Sequence, residues 1–259
     1  PLIRKDFPKI LQTLSTLGVE LSITSNAVSI DRHIELLKKT GVKTVNISLD
    51  TLSAERFHDI TFRNYFDKVY QNILKLIDEG FKVKINAVLM RGVNDDEILD
   101  FIAFTKNHAV GFRFIEFMPF DGNQWKREKT VSYQEIMEQI KTAYSKDEII
   151  RLQDAPNDTA KNYTIKGHRG TFAIISTVTN PFCDQCNRIR LTANGQLKNC
   201  LFSQKENDLL TALRNQEDIE PIIRKNISSK FAVRSGMEGP EFEDPKKHQQ
   251  NRSMITIGG

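Results

Sequence analysis

The segment Phe81-Lys-Val-Lys-Ile-Asn-Ala-Val-Leu-Met90 is the clearest indication of fold class, because apolar and polar residues alternate along it. Alternation with a period of two is typical of a β-strand whose two faces meet different surroundings. The segment therefore predicts a strand with one apolar and one polar face. The apolar parity holds Val83, Ile85, Ala87 and Leu89, and the polar parity holds Lys82, Lys84 and Asn86.

Three other segments are predicted strands, and helical patterns separate all four. The strands cover residues 19–26, 42–50, 81–90 and 111–118, and the helices cover 31–40, 66–79, 95–107 and 133–143. Strands that alternate with helices predict a parallel sheet or barrel. A polar inner face requires a guest, so we expect a wide or open barrel that holds water and polar ligands. The alternative is an antiparallel sheet with one face in water, which the intervening helices disfavour.

The pattern changes near residue 148, where short segments replace the long alternation. We therefore expect an α/β chain with a partial (β/α) barrel over residues 1–147. A C-terminal α+β region would cover 148–234, and a polar tail would cover 235–259.

Composition excludes several classes of protein. The 259 residues are 39% apolar, and no run of 18 apolar residues predicts a membrane span. The net charge of +4 is scattered, which favours a polyanionic small molecule over nucleic acid as partner. Three cysteines cannot all pair in disulfides, so we expect the cytoplasm or a mitochondrial matrix, where thiols stay reduced.

The three cysteines predict a metal site. Cys183 and Cys186 have the short spacing of a metal-binding turn, and the turn Ala193-Asn-Gly195 folds a hairpin that returns Cys200 to them. Three thiolates suit an iron–sulfur cluster with one open iron position. The alternative is zinc, with His168 or a carboxylate as fourth ligand.

Four cationic side chains are candidates for binding an anion. Arg188 and Arg190 share one face beside Cys186, where their guanidinium groups suit phosphate, although such a pair also occurs on solvated faces. Lys84 points into the predicted lumen, where it binds an anionic ligand or forms a salt bridge with Glu116 or Asp50. Arg113 on the next strand allows the same two interpretations.

Three motifs resemble one family. They are Phe182-Cys-Asp-Gln-Cys-Asn-Arg-Ile-Arg-Leu-Thr-Ala-Asn-Gly-Gln-Leu-Lys-Asn-Cys-Leu-Phe202, Arg113-Phe-Ile-Glu-Phe-Met-Pro-Phe-Asp-Gly122 and the terminal Gly258-Gly259. Together they resemble the GTP 3′,8-cyclases, the radical S-adenosylmethionine enzymes of molybdenum-cofactor biosynthesis. The resemblance implies a radical S-adenosylmethionine barrel and the conversion of GTP to 3′,8-cyclo-7,8-dihydro-GTP. It also implies one [4Fe-4S] cluster that cleaves S-adenosylmethionine and a second, held by three cysteines, that binds GTP.

The resemblance assigns roles to individual residues. It implies GTP contacts for Thr24, Lys84, Arg113, Arg188, Ile189 and Arg190, contacts with S-adenosylmethionine for Ser48 and Met118, cluster ligation by Cys183, Cys186 and Cys200, and a tail, Gly258 and Gly259, that enters the active site. Arg113 and Met118 have opposite parity unless the fourth strand ends between them. As partners it implies GTP and, downstream, cyclic pyranopterin monophosphate synthase. We also expect a homodimer.

One departure from the family is its Cys-x-x-x-Cys-x-x-Cys loop, which this sequence does not contain. We therefore expect a chain that lacks the N-terminal part of the barrel, and that binds GTP without generating the radical by itself. A Cys₃His zinc module that binds nucleic acid or nucleotides is the alternative, and a sugar-phosphate enzyme with structural zinc is a third interpretation.

Overall fold

The computed structural model describes residues 1–237, 239–248 and 251–254. The chain forms two compact units, and it passes between them several times. The first unit comprises residues 1–116, 131–154 and 160–175, and the second comprises 117–130, 155–159 and 176–259. No helix in the described ranges has the length and apolar character that crossing a membrane requires.

The first unit is an α/β structure. Its elements are α1 (Phe7–Ser15), β1 (Ser22–Ser25), α2 (Ile34–Lys39), β2 (Thr44–Ser48), α3 (Ala54–Thr61), α4 (Phe66–Asp78), β3 (Lys82–Leu89), α5 (Ile98–Asn107), β4 (Val110–Glu116), α6 (Tyr133–Ala143), β5 (Ile149–Arg151), β6 (Lys161–Ile165) and β7 (Thr171–Ile175).

The strands of this unit form one seven-stranded sheet with the order β1-β2-β3-β4-β7-β6-β5. The first five strands in that order run parallel, and β6 and β5 continue the sheet antiparallel. The sheet is open, with β1 and β5 at its edges. This arrangement agrees with the predicted partial parallel barrel and excludes the fully antiparallel alternative.

The apolar parity of the strands explains why the helices pack where they do. Along β3 the residues Val83, Ile85, Ala87 and Leu89 are at most 1% exposed, and they join one core with apolar residues of α2, α4, α5 and α6. The polar parity of the same strand stays partly exposed. Two unlike faces therefore follow directly from the period of two in the sequence.

The second unit is smaller and contains a three-stranded antiparallel sheet with the order β10-β9-β8. Aromatic rings pack inside this unit. The ring of Phe202 stacks on that of Phe120 with 5.7 Å between centroids and meets that of Phe242 edge-on at 5.0 Å. The elements are β8 (Arg190–Leu191), β9 (Gln196–Lys198), β10 (Asn207–Asp208), α7 (Leu209–Arg214), α8 (Glu220–Ser228), α9 (Pro240–Glu243) and α10 (Pro245–His248).

The predicted boundary at residue 147 falls inside the first unit. The reason is β7, which pairs with β4 over five register positions and brings β6 and β5 into the same sheet. Conversely, residues 117–130 belong to the second unit although they lie before the predicted boundary. The predicted boundary at 234 lies within the range 176–259 of the second unit, and the polar tail stays a prediction.

Candidate functional site

The polar face of the parallel sheet gathers most candidate residues of the first unit. Thr24 is the register partner of Asn46, and Asn46 is the partner of Lys84. Neighbours in register on parallel strands point to the same face, so these three side chains form one row across the sheet. The candidates Thr24 and Lys84 are thus brought together, with Asn46 between them.

A second row lies next to the first along the strands. Ser48 is the register partner of Asn86, and Asn86 is the partner of Arg113. Arg113 donates from Nη2 to Asn46 Oδ1 in the first row, which links the two rows. Within the described residues, Asn86 Oδ1 is a buried acceptor without a hydrogen-bond partner. This face therefore presents cationic, hydroxyl and amide groups, as the polar parity predicts.

Asp50 and Glu116 are the two acidic residues predicted as neighbours of Lys84, and both lie in the first unit. Asp50 Oδ1 accepts a hydrogen bond from the Val88 N–H at 2.8 Å, and burial raises the pKa of the Asp50 carboxyl despite this bond. Glu116 is fully buried at the end of β4. Because β4 ends at Glu116, Arg113 lies in the strand and Met118 lies beyond it, which removes the conflict of parity.

Met118 belongs to the second unit, in the segment that follows β4. Its carbonyl oxygen accepts a hydrogen bond from Asn123 Nδ2 at 2.7 Å, and Trp125 Nε1 donates to the neighbouring carbonyl oxygen of Phe117 at 2.8 Å. The side chain of Met118 is partly exposed. These bonds give the segment a defined backbone without using the thioether.

The predicted cysteine hairpin is present in the second unit. β8 pairs with β9, with Arg190 opposite Lys198. Thr192 closes the turn, because its Oγ1 accepts from the Gln196 N–H at 2.9 Å while its backbone N–H donates to the Gln196 carbonyl at 2.9 Å. Lys198 is 1% exposed, and its Nζ donates to Asn251 Oδ1 at 2.8 Å.

Two of the three thiols accept hydrogen bonds from one downstream segment. Lys230 Nζ donates to Cys186 Sγ at 3.3 Å, and the Arg234 N–H donates to Cys183 Sγ at 3.5 Å. All three cysteines are free and partly buried. Donors aimed at sulfur stabilise thiolates, the form that binds metals.

The thiols differ in acidity. Burial raises the pKa of Cys186, but the N–H of Arg188 and the Lys230 ammonium outweigh it, so the pKa lies below the usual value. Burial raises the pKa of Cys200 above its usual value, since the opposing hydrogen bond from the Phe202 N–H is the smaller effect. The thiolate is therefore favoured at Cys186 and disfavoured at Cys200.

The arginine pair alternates with an exposed residue. Ile189 is 44% exposed, whereas Arg188 and Arg190 are partly buried. Burial lowers the pKa of the Arg190 guanidinium, and interaction with the thiols of Cys200 and Cys186 opposes that change. Arg188 donates from Nη2 to the Asn157 carbonyl oxygen at 3.1 Å. Both cations thus belong to the surroundings of the cysteines.

His168, the alternative zinc ligand, lies in the first unit. Its Nδ1 is 3.0 Å from Thr105 Oγ1, and its ring packs edge-on against Tyr144. In the part of the chain that the structure describes, no three His, Cys, Asp or Glu side chains form a ready ligand set for a metal ion. The predicted residues Gly258 and Gly259 lie outside the described residues.

Lys230 and Arg234 were not predicted from the sequence. Both follow α8, far along the chain from Cys183 and Cys186, so no local spacing connects them with the cysteines. The only available signal was that two cations follow a helix in the region of the cysteines.

Two family models cover most of the chain. Residues 1–105 match the Radical SAM superfamily, and residues 110–235 match Molybdenum Cofactor Synthesis C. In fold, the chain is similar to Streptococcus suis SuiB bound to S-adenosylmethionine, with a TM-score of 0.57 and 16% identity over 87% of this chain and 54% of that chain.

Named relatives match nearly all of this chain. It is 43% identical to the mitochondrial GTP 3′,8-cyclase of Arabidopsis thaliana, over 100% of this chain and 66% of that protein. It is 35% identical to the GTP 3′,8-cyclase of Alkaliphilus oremlandii, over 100% of this chain and 79% of that protein. The human molybdenum cofactor biosynthesis protein 1 is 39% identical over 99% of this chain, which spans 40% of that protein. The chain thus spans between two fifths and four fifths of these relatives.

Proposed function

The chain belongs to the GTP 3′,8-cyclase family of radical S-adenosylmethionine proteins, and on that premise we propose that it serves the conversion of GTP to 3′,8-cyclo-7,8-dihydro-GTP. This reaction is the first step of molybdopterin biosynthesis. The part that we assign to the chain's own residues is to bind GTP beside a C-terminal iron–sulfur cluster.

The observation that carries this proposal is an unsatisfied cation beside the cysteines. Among the described residues, Arg188 Nη1 is buried and has no hydrogen-bond partner, while Nη2 of the same guanidinium is bound to a carbonyl oxygen. A buried donor without a partner costs about 1–3 kcal/mol or more when its group is charged. A phosphate oxygen of GTP would satisfy it, and a guanidinium is well suited to phosphate.

The donor set fits a cluster better than a single zinc ion. Zinc requires its ligands to converge on one atom at bond lengths of about 2.3 Å for sulfur. Each cysteine of an iron–sulfur cluster can bind a different iron, so the three sulfurs need not converge so closely. The support from this chain is that its three cysteines are free and lie in one unit.

Cys183, Cys186 and Cys200 would hold this cluster, and it would supply an iron that lacks a protein thiolate and can bind the purine of GTP. Arg188 and Arg190 would bind phosphate oxygens. In the first unit, the candidates Thr24, Lys84, Arg113 and Ser48 lie in the two polar rows of the sheet. Their contacts with GTP and, for Ser48, with S-adenosylmethionine stay predictions.

The cluster that cleaves S-adenosylmethionine does not fit the residues of this sequence. All three cysteines lie between 183 and 200, and residues 1–105, which match the Radical SAM superfamily, contain none. No thiolate of that region can hold the cluster, so no step of radical formation is assigned to these residues. The expectation that the chain alone forms no radical stays a prediction.

Anaerobic reconstitution with iron and sulfide tests the proposal. We expect about four irons per chain, a spectrum that changes on addition of GTP, and loss of iron in Cys183→Ser. Arg188→Met should weaken GTP binding about tenfold or more, because a hydrogen bond to a charged group contributes roughly 1.5–3 kcal/mol.

Arg224→Met is the matched control, because Arg224 is an exposed arginine of α8 that pairs with Glu220. It should bind GTP as the wild type does. Stoichiometric zinc in a colourless protein, or unchanged GTP affinity in Arg188→Met, would contradict the proposal. The homodimer, the downstream cyclic pyranopterin monophosphate synthase, the contact of Met118 with S-adenosylmethionine and the cytoplasmic or mitochondrial location stay predictions.

A further inference from the structure

The stretch between Cys186 and Arg188 has no regular backbone structure of its own. A short 3-10 turn ends at Gln185 and β8 begins at Arg190, so residues 186–189 belong to neither a helix nor a strand. This stretch nevertheless carries a proposed cluster ligand and a proposed phosphate-binding arginine. If the Cys186 thiol and the Arg188 guanidinium act together, residues outside this stretch must hold them in place.

Lys230 contacts this stretch at two points. Its Nζ lies 3.3 Å from Cys186 Sγ and 2.9 Å from the Arg188 carbonyl oxygen. An ammonium group has three donors, so it can satisfy both acceptors at once. The contact thus joins a cluster ligand to the backbone of an arginine that is two residues away.

The backbone near Lys230 is itself fixed to the cysteine hairpin. Asn226 of α8 is 2% exposed, and its Nδ2 donates to the Leu197 carbonyl oxygen of β9 at 3.2 Å. Asn199 Nδ2 donates to the Asn226 carbonyl oxygen at 2.9 Å, and the Lys230 N–H donates to the Ile227 carbonyl oxygen at 3.2 Å. The end of α8 is therefore tied to β9. These hydrogen bonds restrict the backbone from which the Lys230 side chain extends.

We propose that Lys230 is a positioning residue that fixes the Cys186 ligand and Arg188 relative to each other and donates a hydrogen bond to the Sγ by which Cys186 would bind the cluster. This inference rests on the proposed function. A hydrogen bond and a positive charge at a ligand sulfur stabilise the more negative, reduced cluster, and so raise its reduction potential. Partners of metal ligands typically change metal affinity or activity by roughly 10–100-fold when they are removed.

Lys230→Met and Lys230→Arg in the cluster-loaded protein test the proposal. We expect Lys230→Met to shift the reduction potential of the C-terminal cluster to more negative values and to weaken GTP binding on the order of tenfold. Lys230→Arg keeps the charge and the donors, and should stay close to the wild type in both measurements. A purely structural role would not move the potential.

Lys225→Met is the matched control, because Lys225 is an exposed lysine of α8, the helix that precedes Lys230. It should match the wild type in potential and GTP affinity. If Lys230→Met loads iron yet keeps the wild-type potential and GTP affinity, the inference is overturned while the proposed function stands. If the wild type itself holds no iron–sulfur cluster, the proposed function fails and the inference falls with it. If Lys230→Met does not fold, a Lys230→Arg variant with a shifted potential and weakened GTP binding would overturn the inference.

Discussion

At the scale of single residues, the pKa values of the Cys186 and Cys200 thiols shift in opposite directions, although both residues are expected to bind one cluster. Burial acts on both, but Cys186 also faces the Lys230 ammonium and the Arg188 N–H. Reactive cysteines are those whose thiolate is favoured and accessible. The two sites should therefore differ in reactivity before any metal binds.

In the metal-free, reduced protein, Cys186 should react with iodoacetamide faster than Cys200 at neutral to mildly alkaline pH. The pKa of Cys186 is lowered and that of Cys200 is raised, so the alkylation rate of Cys186 should rise with pH over a lower range. Peptide mass spectrometry along a pH series measures both rates. Equal pH midpoints for the two cysteines, or a lower midpoint for Cys200, would contradict the opposite pKa shifts.

The sequence predicted the hairpin of the cysteines better than it predicted their surroundings. The spacing of Cys183 and Cys186 and the turn before Gln196 are local patterns, and the hairpin is confirmed. The contacts of Lys230 depend on how α8 packs against β9, which no short pattern records. Likewise, Asn46 as the partner of Arg113 depends on the order of the strands.

At the scale of elements, the four strands with clear alternation were predicted correctly, but α3 and the order of β5, β6 and β7 were not. α3 buries only Phe57, so its periodicity is weak, although Ser53 caps it. The short strands β5–β7 carry no signal that β7 pairs with β4 rather than forming a separate sheet. Pairing of distant strands is decided by packing of the whole unit, not by local pattern.

The capping box of α6 gives a test of local stability. Ser132 accepts from the Glu135 N–H, and the Glu135 carboxylate accepts from the Ser132 N–H at 2.8 Å. Ser132→Ala should lower the free energy of unfolding by about 1 kcal/mol. Chemical denaturation measures the change. Thr142→Ala in the same helix is the control and should cost less, since Thr142 is exposed; an equal cost would contradict the role of the cap.

Gly195 limits the hairpin through its backbone conformation and its close neighbour. Its φ is +77°, and an added Cβ would lie 2.4 Å from Leu210 Cβ. Gly195→Ala should therefore cost more than Gly80→Ala, because Gly80 has φ +82° but no atom within 4 Å of an added Cβ.

The left-handed conformation alone costs about 1–2 kcal/mol for a residue with a side chain, and overpacking adds about 1–3 kcal/mol. Thermal unfolding and iron content after reconstitution measure the effect, and we expect Gly195→Ala to reduce both. Equal stability of the two variants would show that Leu210 can move away without cost.

At the scale of the whole molecule, the chain forms two units, and each unit is made of segments that are not contiguous in sequence. Residues 117–130 and 155–159 belong to the second unit although residues 131–154 belong to the first. The three cysteines all lie in the second unit, and the polar rows of the sheet lie in the first. A cluster held by the cysteines should thus stabilise one unit directly.

Hydrogen exchange with and without the cluster measures this difference. We expect slower exchange in 183–200 and in the end of α8 when the cluster is present, because binding to the folded form stabilises it. Exchange in β2, β3 and β4 should change little. Removal of iron with a chelator should reverse the protection, and uniform protection of both units would contradict a cluster confined to the second.

The pairing of β7 with β4 has a consequence for synthesis on the ribosome. β4 ends at Glu116, but the strand that covers its outer edge begins at Thr171. During synthesis, amide and carbonyl groups at the edge of β4 therefore lack their inter-strand hydrogen bonds until β7 emerges from the ribosome. If translation stops between these two points, the polypeptide keeps an exposed strand edge that can pair with other chains. Such a polypeptide would be a substrate for chaperones and proteases.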